Sequence, residues 1–239
     1  MRTEGLDMIK LIEASYSRFF PREIDAMFRS RAETFQDRLG WEVIVKDGRE
    51  RDRFDDLNPL YLVSVDPDSG EYWGSLRLLP TTGPNMLRDV FPQLLDEGEE
   101  VACSTIWESS RICVATRSGQ PERTRSGLNF ALCELVLGIA EVAILAGLTQ
   151  IVCVFDARML RILRATGCSP KIIGTPQRIG TVMSYAALFS AGYRPLKTVR
   201  EAVGVGESVF APDATQWVSL CGEKHLGRRL EFVRNGQGY

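Results

Sequence analysis

Residues 105–115 read TIWESSRICVA. β-Branched and aromatic residues are frequent in this segment, which predicts a strand, although the strand carries Glu108 and Arg111. On a regular strand, Glu108 and Ser110 share one face and Arg111 points to the other. Two opposite charges in a mostly apolar strand are costly unless they are paired or functional. The segment therefore holds either a buried ion pair or part of a functional site.

The segments around this strand predict an α/β fold. Strand-like runs at residues 61–65 and 72–79 are separated by turn-forming residues, which indicates a hairpin. Further along, the apolar run 128–146 is typical of a buried helix, and 151–155 of a buried strand. Hairpin strands followed by helix–strand alternation are typical of an α/β sandwich with a mixed sheet. The other predicted elements are helices over 21–39, 156–166 and 196–203, strands over 41–46, 171–173 and 181–190, and short helical pieces over 85–95, with a charged loop over 47–57.

The length of the chain favours one domain. It has 239 residues, of which 44% are hydrophobic, and this is enough for a single sizeable core. We place the domain at residues 1–204. Residues 205–239 lose hydrophobic periodicity, so we expect them to be a peripheral C-terminal extension.

Composition excludes several classes of function. The formal net charge of -2 gives no overall signal for nucleic-acid binding, and neither a signal peptide nor a membrane-spanning run is apparent. We therefore expect a soluble, cytoplasmic, monomeric protein that binds neither nucleic acid nor membrane. The six cysteines form no CxxC pair, and the single histidine, His225, argues against a catalytic triad or a metal site. The chemistry must use carboxylates, arginines, backbone groups and bound substrates.

Charged residues interrupt apolar patterns at three other places. Arg31 lies on the apolar face of the predicted helix 21–39, which is explained either by a cleft or by a side chain that snorkels to water. Asp52 and Asp55 lie in a charged run that also fits a solvated loop. Arg77 breaks the apolar pattern of a predicted strand. Each of these features is weak evidence by itself.

Taken together, the order and spacing of these residues resemble the acyl-homoserine-lactone synthases, the autoinducer synthase family of quorum-sensing bacteria. The shared pattern is R-x3-F-x5-W, then D-x2-D, then an arginine in an apolar strand, then F-P, then E-S-S-R-x-x-V. The resemblance extends from residue 8 to about residue 200. It is carried by Arg31, Phe35, Trp41, Asp52, Asp55, Arg77, Phe91, Glu108 and Arg111.

The resemblance implies a fold and a reaction. The fold is that of the GNAT-like N-acyltransferases, a three-layer α/β sandwich whose mixed sheet is splayed at its centre. The substrates are S-adenosyl-L-methionine and an acyl thioester, carried by acyl carrier protein or coenzyme A, and no cofactor is expected. The amine is acylated, and closure of the lactone releases methylthioadenosine. The product is an N-acyl-L-homoserine lactone, a quorum-sensing signal.

The resemblance also implies roles for individual residues. Glu108 is the expected base, because an α-amine with a pKa near 8 needs only modest help to lose a proton. Arg77 is expected to pair with other side chains rather than to take part in the chemistry. The expected catalytic residues are Glu108, Arg111 and Asp52. The expected S-adenosylmethionine-binding residues are Arg31, Phe35, Trp41, Asp52, Asp55 and Arg111, and the expected acyl-pocket residues are Phe91, Cys153, Leu128 and Leu132.

A basic stripe suggests where a carrier protein docks. Arg158, Arg161 and Arg164 recur every three residues in the predicted helix 156–166. An acidic carrier protein would be steered to such a stripe. An ordinary solvated helix face explains the same pattern.

Two other functions remain open. One is an N-acetyltransferase that uses acetyl-CoA, which would normally carry an R/Q-x-x-G-x-G/A loop after the central strand; residues 117–123 do not match it. The other is a non-catalytic, ligand-binding relative. The presence of Glu108, Asp52 and Asp55 disfavours this second function.

Overall fold

The computed structural model describes residues 9–115 and 127–210. The strands are β1 (Ile9–Glu13), β2 (Val45–Lys46), β3 (Arg49–Glu50), β4 (Leu60–Val65), β5 (Tyr72–Pro80), β6 (Ile106–Val114), β7 (Gln150–Asp156), β8 (Lys171–Ile179) and β9 (Val182–Ser190). The helices are α1 (Pro21–Arg31), α2 (Met86–Asp89), α3 (Phe130–Leu145), α4 (Ala157–Ala165) and α5 (Tyr193–Val203). Short 3-10 turns cover Ala14–Phe19, Arg53–Asp56 and Pro92–Leu94, and α1 continues as a π-helical segment, Ala32–Arg38.

Seven strands form one mixed sheet in the order β1-β4-β5-β6-β7-β9-β8. Neighbouring strands are antiparallel except β6 and β7, which are parallel. These two strands pair only from Ile106 to Ser109 and from Gln150 to Cys153, although both continue further. The sheet therefore opens between β6 and β7, which confirms the predicted α/β sandwich with a centrally splayed sheet.

Helices cover both faces of the sheet. Along β4, Leu60 and Leu62 pack in the core that contains α3, whereas Tyr61 and Val63 pack in the core that contains α1. This is the alternation expected of a strand buried on both sides. Helix α3 is mostly apolar, its two charged residues, Glu134 and Glu141, are buried, and it lies between the sheet and α5.

The predicted hairpin, the apolar helix and the buried strand after it are confirmed, with ends that differ by one or two residues. The predicted strand over residues 41–46 is wrong for its first four residues. The reason is that Trp41 N donates to Phe35 O, so the chain is still turning at the end of the helical segment, with Gly40 in the left-handed region. Only Val45 and Lys46 remain as a strand.

The domain boundary predicted after residue 204 is too early. Val209 and Phe210 are fully buried, and Ile9 N donates to Val209 O at 2.9 Å. Ser208 Oγ donates to Glu141 of α3 at 2.6 Å. Residues 205–210 therefore belong to the core and are not peripheral. The rest of the predicted extension lies outside the described residues. Within the described part of the chain, no helix is long and apolar enough to cross a membrane.

A buried carboxylate on α3 makes stability depend on pH. Glu134 Oε2 accepts a hydrogen bond from Ser64 Oγ at 2.9 Å, and Oε1 has no partner among the described residues. Burial raises the pKa of this carboxyl from 4.5 to about 8. Because the folded pKa is the higher one, the group's contribution to stability is complete below pH 4.5 and is lost as pH rises towards 8.

We expect Glu134→Gln to raise the free energy of unfolding at pH 8.5 by about 1–3 kcal/mol more than it does at pH 5, because the amide cannot ionise. Urea denaturation of parent and variant at both pH values measures this difference. Glu97→Gln, at an exposed position, serves as the control and should shift little. A Glu134→Gln effect of equal size at both pH values would contradict the expectation.

Candidate active site

Three arginines and three carboxylates form a buried group between α1 and the sheet. Their formal charges balance, which is the condition under which buried charges are tolerated. Arg31 and Arg77 are fully buried, and the most exposed carboxylate, Asp52, has 17% of its side chain accessible. We call this group the charge cluster. Its members are Arg31, Glu50, Asp52, Asp55, Arg77 and Arg111.

Arg31 is saturated by carboxylates of the charge cluster. Its two terminal nitrogens donate to Asp55 at 2.8 and 2.9 Å, and its Nε donates to Glu50 at 2.5 Å. Burial opposes ionisation of Asp55, but the charges of Arg31 and Arg77 outweigh it and hold the pKa of that carboxyl below its ordinary value. A planar guanidinium suits this two-point contact.

Arg77 holds the other side of the charge cluster. Its terminal nitrogens donate to Asp52 at 2.5 and 3.1 Å, one of them also donates to Asp55 at 3.0 Å, and Nε donates to Ser110 Oγ at 3.2 Å. Within the described part of the chain, all of its hydrogen bonds are with these three residues. Arg77 thus has the structural pairing role predicted for it.

The three-residue spacing of Asp52 and Asp55 has a local cause. Asp52 caps the 3-10 turn Arg53–Asp56 by accepting from Phe54 N at 3.0 Å, while Asp55 accepts from Asp52 N at 2.9 Å. This reciprocal capping box orders a charged segment that the sequence predicts as a loop. It also aims both carboxylates at the arginines of the charge cluster.

Arg111 lies on the same face of the sheet as Glu108, so the prediction of opposite faces is wrong. The register between β5 and β6 shifts between Ser75 and Arg77, and Arg111 has a φ of 56°. This is a β-bulge, which places one extra residue on the bulged strand and reverses the alternation beyond it. Left-handed backbone is strained for arginine, and such strain is found mostly at functional sites.

The bulge directs Arg111 into the charge cluster. Its Nη2 is 2.9 Å from Glu50 and 3.0 Å from Asp52, and its guanidinium lies 4.8 Å from the ring centre of Phe35. Among the described residues, its Nη1 donates only to the sulfur of Met86, at 3.5 Å. Because a thioether is a weak acceptor, Nη1 retains the capacity to bind an anion.

Glu50 is a member of the charge cluster that sequence reasoning missed. It is fully buried and bridges Arg31 and Arg111. In the sequence it lies in a run of charged residues and looks like its exposed neighbours. Only the structure identifies Glu50 as a member of the charge cluster, because the short β2–β3 pairing turns its side chain inwards.

Glu108, on β6, is buried against the start of α2. Its two oxygens accept from Met86 N at 3.0 Å and from Leu87 N at 2.6 Å. Burial raises the pKa of this carboxyl above its ordinary value, although these two N–H groups and the charges of Arg77 and Arg111 oppose the shift. A carboxylate with a raised pKa is a stronger base than an ordinary one.

Three aromatic rings stand beside these charges. The ring centres of Phe35 and Trp41 are 5.2 Å apart, and those of Trp41 and Phe91 are 6.3 Å apart. Aromatic faces attract cations, so this group is suited to a positively charged ligand.

One cavity of about 360 Å³ connects the two faces of the sheet. On the α1 face its wall includes Phe35, Trp41 and Glu108. It passes the opening between β6 and β7, at Ser110 and Cys153, and continues between the sheet and helices α3, α4 and α5. On that side its wall includes Val136, Ile139, Ala143, Ile151, Phe155, Met159, Leu163 and Val199.

The structure brings four of the predicted substrate-site and catalytic residues to the cavity, namely Phe35, Trp41, Glu108 and Arg111. Two of the predicted acyl-pocket residues, Phe91 and Cys153, also line it. Arg31, Asp52 and Asp55 do not line it. They lie behind its wall, where Arg31 binds Asp55 and the two aspartates bind Arg77 and Arg111, so the carboxylates and guanidinium groups satisfy one another.

Leu128 and Leu132 were also predicted to line the acyl pocket. Both pack in the core on the α3 face and do not line this cavity, so their role in the acyl pocket stays a prediction. Helix α3 does line the cavity, but with residues one to three turns further along, such as Val136 and Ala143. In the first turns of α3, Ala131 packs against Trp73 of β5 and Glu134 accepts from Ser64 of β4, so these turns lie under β4 and β5.

The predicted basic stripe is on the surface. Arg158, Arg161 and Arg164 are exposed on α4, whose Leu160 and Leu163 are buried. Leu163 also lines the cavity, so the helix that forms part of the cavity wall carries the stripe outside. The residues 117–123 lie outside the described part of the chain. Within that part, no cluster of side chains is arranged to hold a metal ion.

Comparison with known proteins identifies the family. The sequence profile of the autoinducer synthases matches residues 16–198. The acyl-homoserine-lactone synthase of Rhizobium etli is 42% identical over 150 residues, which are 62% of this chain and 68% of that protein. The one from Agrobacterium fabrum is 41% identical over 165 residues, which are 69% of this chain and 77% of that protein.

Solved structures agree with the sequence relatives. A CoA-dependent acyl-homoserine lactone synthase, BjaI, solved with SAM and isopentyl-CoA, superposes with a TM-score of 0.73 at 25% identity, over 85% of this chain and 92% of that one. The acyl-homoserine lactone synthase LasI superposes with a TM-score of 0.70 at 25% identity, over 83% and 95%. The chain therefore belongs to the autoinducer synthase family and is an acyl-homoserine-lactone synthase, an acyltransferase.

Proposed function

We propose that the protein makes an N-acyl-L-homoserine lactone from S-adenosyl-L-methionine and an acyl thioester, with release of methylthioadenosine. The observation that carries this proposal is the single cavity through the splayed sheet. Its α1 side offers an arginine, aromatic rings and a carboxylate, and its other side is apolar. A charged amino acid derivative and a fatty acyl chain would meet where Glu108 stands.

The first step acylates the amine. The α-amine of S-adenosylmethionine attacks the thioester carbonyl, so that a C–N bond forms and the C–S bond breaks. Glu108 accepts the proton from the amine, directly or through a water, and the thiolate leaves and is protonated. Backbone N–H groups of β6 beyond Ser109, which no longer pair with β7, are positioned to stabilise the oxyanion.

The second step closes the lactone. The carboxylate of the methionyl group attacks its own γ-carbon, the C–S bond to sulfur breaks, and methylthioadenosine leaves as a neutral molecule. Nη1 of Arg111 is suited to hold that carboxylate, and the rings of Phe35 and Trp41 suit the sulfonium. The reaction is intramolecular, so positioning supplies most of the acceleration.

The acyl donor is either an acyl carrier protein or an acyl-CoA, and the protein is proposed to work without a cofactor. The exposed stripe of Arg158, Arg161 and Arg164 favours an acidic carrier protein, because opposite charges steer encounter. The relative BjaI, which was solved with isopentyl-CoA, shows that coenzyme A serves within the family.

One experiment tests the reaction against the alternatives. Purified protein is supplied with S-adenosylmethionine and a panel of acyl-carrier and acyl-CoA thioesters, and methylthioadenosine and lactone are measured. We expect the two products in equal amounts. An acetyltransferase would release the thiol without methylthioadenosine, and a binding protein would release neither. Absence of methylthioadenosine with every donor would contradict the proposal.

Glu108→Gln tests the base. We expect kcat to fall by about 10²–10⁴-fold, because the amide cannot accept the proton. For the parent, the ionised carboxylate is the active form, so kcat/KM should fall as pH drops through the raised pKa of Glu108, above the ordinary range of a glutamate. Tight binding of S-adenosylmethionine by the variant, measured by calorimetry, is the control for folding. Full activity in Glu108→Gln would remove Glu108 as the base.

Charge reversal tests the basic stripe. A variant with Arg158→Glu and Arg161→Glu should raise KM for acyl-carrier donors at low salt by about tenfold or more, since steering depends on charge. The same variant assayed with acyl-CoA measures the effect on the cavity. Arg178→Glu, exposed on β8, is the control for a charge reversal elsewhere on the surface. Equal rates with carrier donors would show that the stripe is an ordinary solvated face.

A further inference from the structure

The cavity reaches the surface beside α5. Four of its lining residues on the α5 side are exposed and polar, although the wall between them and the opening in the sheet is apolar. We call them the distal rim. They are Ser169, Ser190, Arg194 and Thr198.

The distal rim lies across the sheet from the aromatic rings. Arg194 and Thr198 belong to α5, which packs on α3, and α3 covers the face opposite α1. A ligand in the apolar part of the cavity thus has one end near Cys153 and Ser110 and the other near the distal rim. Ala140 and Ala143 line this part from α3, and their small side chains leave room for a chain.

Arg194 is the charged group of the distal rim. It is exposed and forms no ion pair within the described residues, whereas Lys197, on the same helix, is 3.9 Å from Glu201. The rim also holds three hydroxyl groups; that of Thr198 donates to Arg194 O at 3.1 Å, and those of Ser169 and Ser190 offer further donors. An arginine with neighbouring hydroxyls favours a carboxylate over a methyl group.

We infer that Arg194 is a specificity-determining residue, which favours acyl donors carrying a carboxylate at the distal end of the chain over donors that end in a methyl group. The inference rests on the proposed function. The proximal end of the donor stays at Glu108, and the acyl chain passes Ala143 to reach the rim. Selectivity then appears only for chains long enough for the distal group to emerge beside Arg194.

The test compares matched pairs of thioesters of increasing chain length. One member of each pair ends in a methyl group, and the other is the half-thioester of the corresponding dicarboxylic acid. The measured quantity is the ratio of kcat/KM for the carboxylate-ended donor to that for the methyl-ended donor. We expect this ratio to rise to a maximum at one chain length.

At that length, Arg194→Ala should lower the ratio by up to about fivefold, the range of an exposed ion pair, and Arg194→Glu should lower it further. Lys197→Ala is the matched control on α5 and should leave the ratio unchanged. The parent alone gives a second measurement, since raising the salt concentration should lower its ratio at the maximum. A ratio that is independent of both Arg194 and salt at every length would overturn the inference.

The outcome separates this inference from the proposed function. Suppose that methyl-ended donors yield lactone and methylthioadenosine, but the ratio of kcat/KM values is the same in the parent and in the Arg194 variants. The inference then fails and the proposed function stands. If no donor of either kind yields methylthioadenosine, the proposed function fails.

Discussion

Three guanidinium groups and three carboxylates are enclosed between α1 and the sheet, and each arginine binds at least two of the carboxylates. Removing one member of such a cluster leaves a buried charge without its partner, which typically costs about 3–5 kcal/mol. The cluster joins α1, β3, the turn after it, β5 and β6. Through these ties it fixes Arg111, and with it Phe35, on the wall of the cavity. The geometry of the active site therefore depends on the balanced charges of the cluster behind the cavity wall.

The opening in the sheet is the second constraint. A parallel pair that ends after Ser109 and Cys153 leaves backbone groups of β6 and β7 unpaired on the facing edges. Such groups must find partners elsewhere, and a bound polar ligand is one. Glu108 stands on β6 just before the strands separate, where α2 supplies two N–H groups to its carboxylate. The break in the ladder thus creates both the passage and the place for the base.

The sequence predicts the elements that depend on residues close together in the chain. The hairpin, α3 and α4 were predicted from turn residues and apolar runs, and in the structure Asp156 caps α4 by accepting from Met159 N. The sequence did not predict features that depend on pairing between segments far apart in the chain. β1 and residues 205–210 are ordered by each other and by the core, and the bulge that turns Arg111 is a property of the β5–β6 register. Helix α3 is mostly apolar, so its periodicity could not show which turns face the cavity.

The residues that identified the family divide into two roles that the motif alone does not separate. Arg31, Asp55 and Arg77 are bound to one another and do not touch the cavity, whereas Trp41, Glu108 and Arg111 line it. A motif residue is therefore not necessarily a residue that contacts substrate. In this protein the spacing D-x2-D is set by a capping box, and that turn presents both carboxylates to the arginines. Each carboxylate binds more than one guanidinium, and Asp52 binds Arg111 itself, so the D-x2-D spacing is tied to the position of Arg111 as well as to the turn.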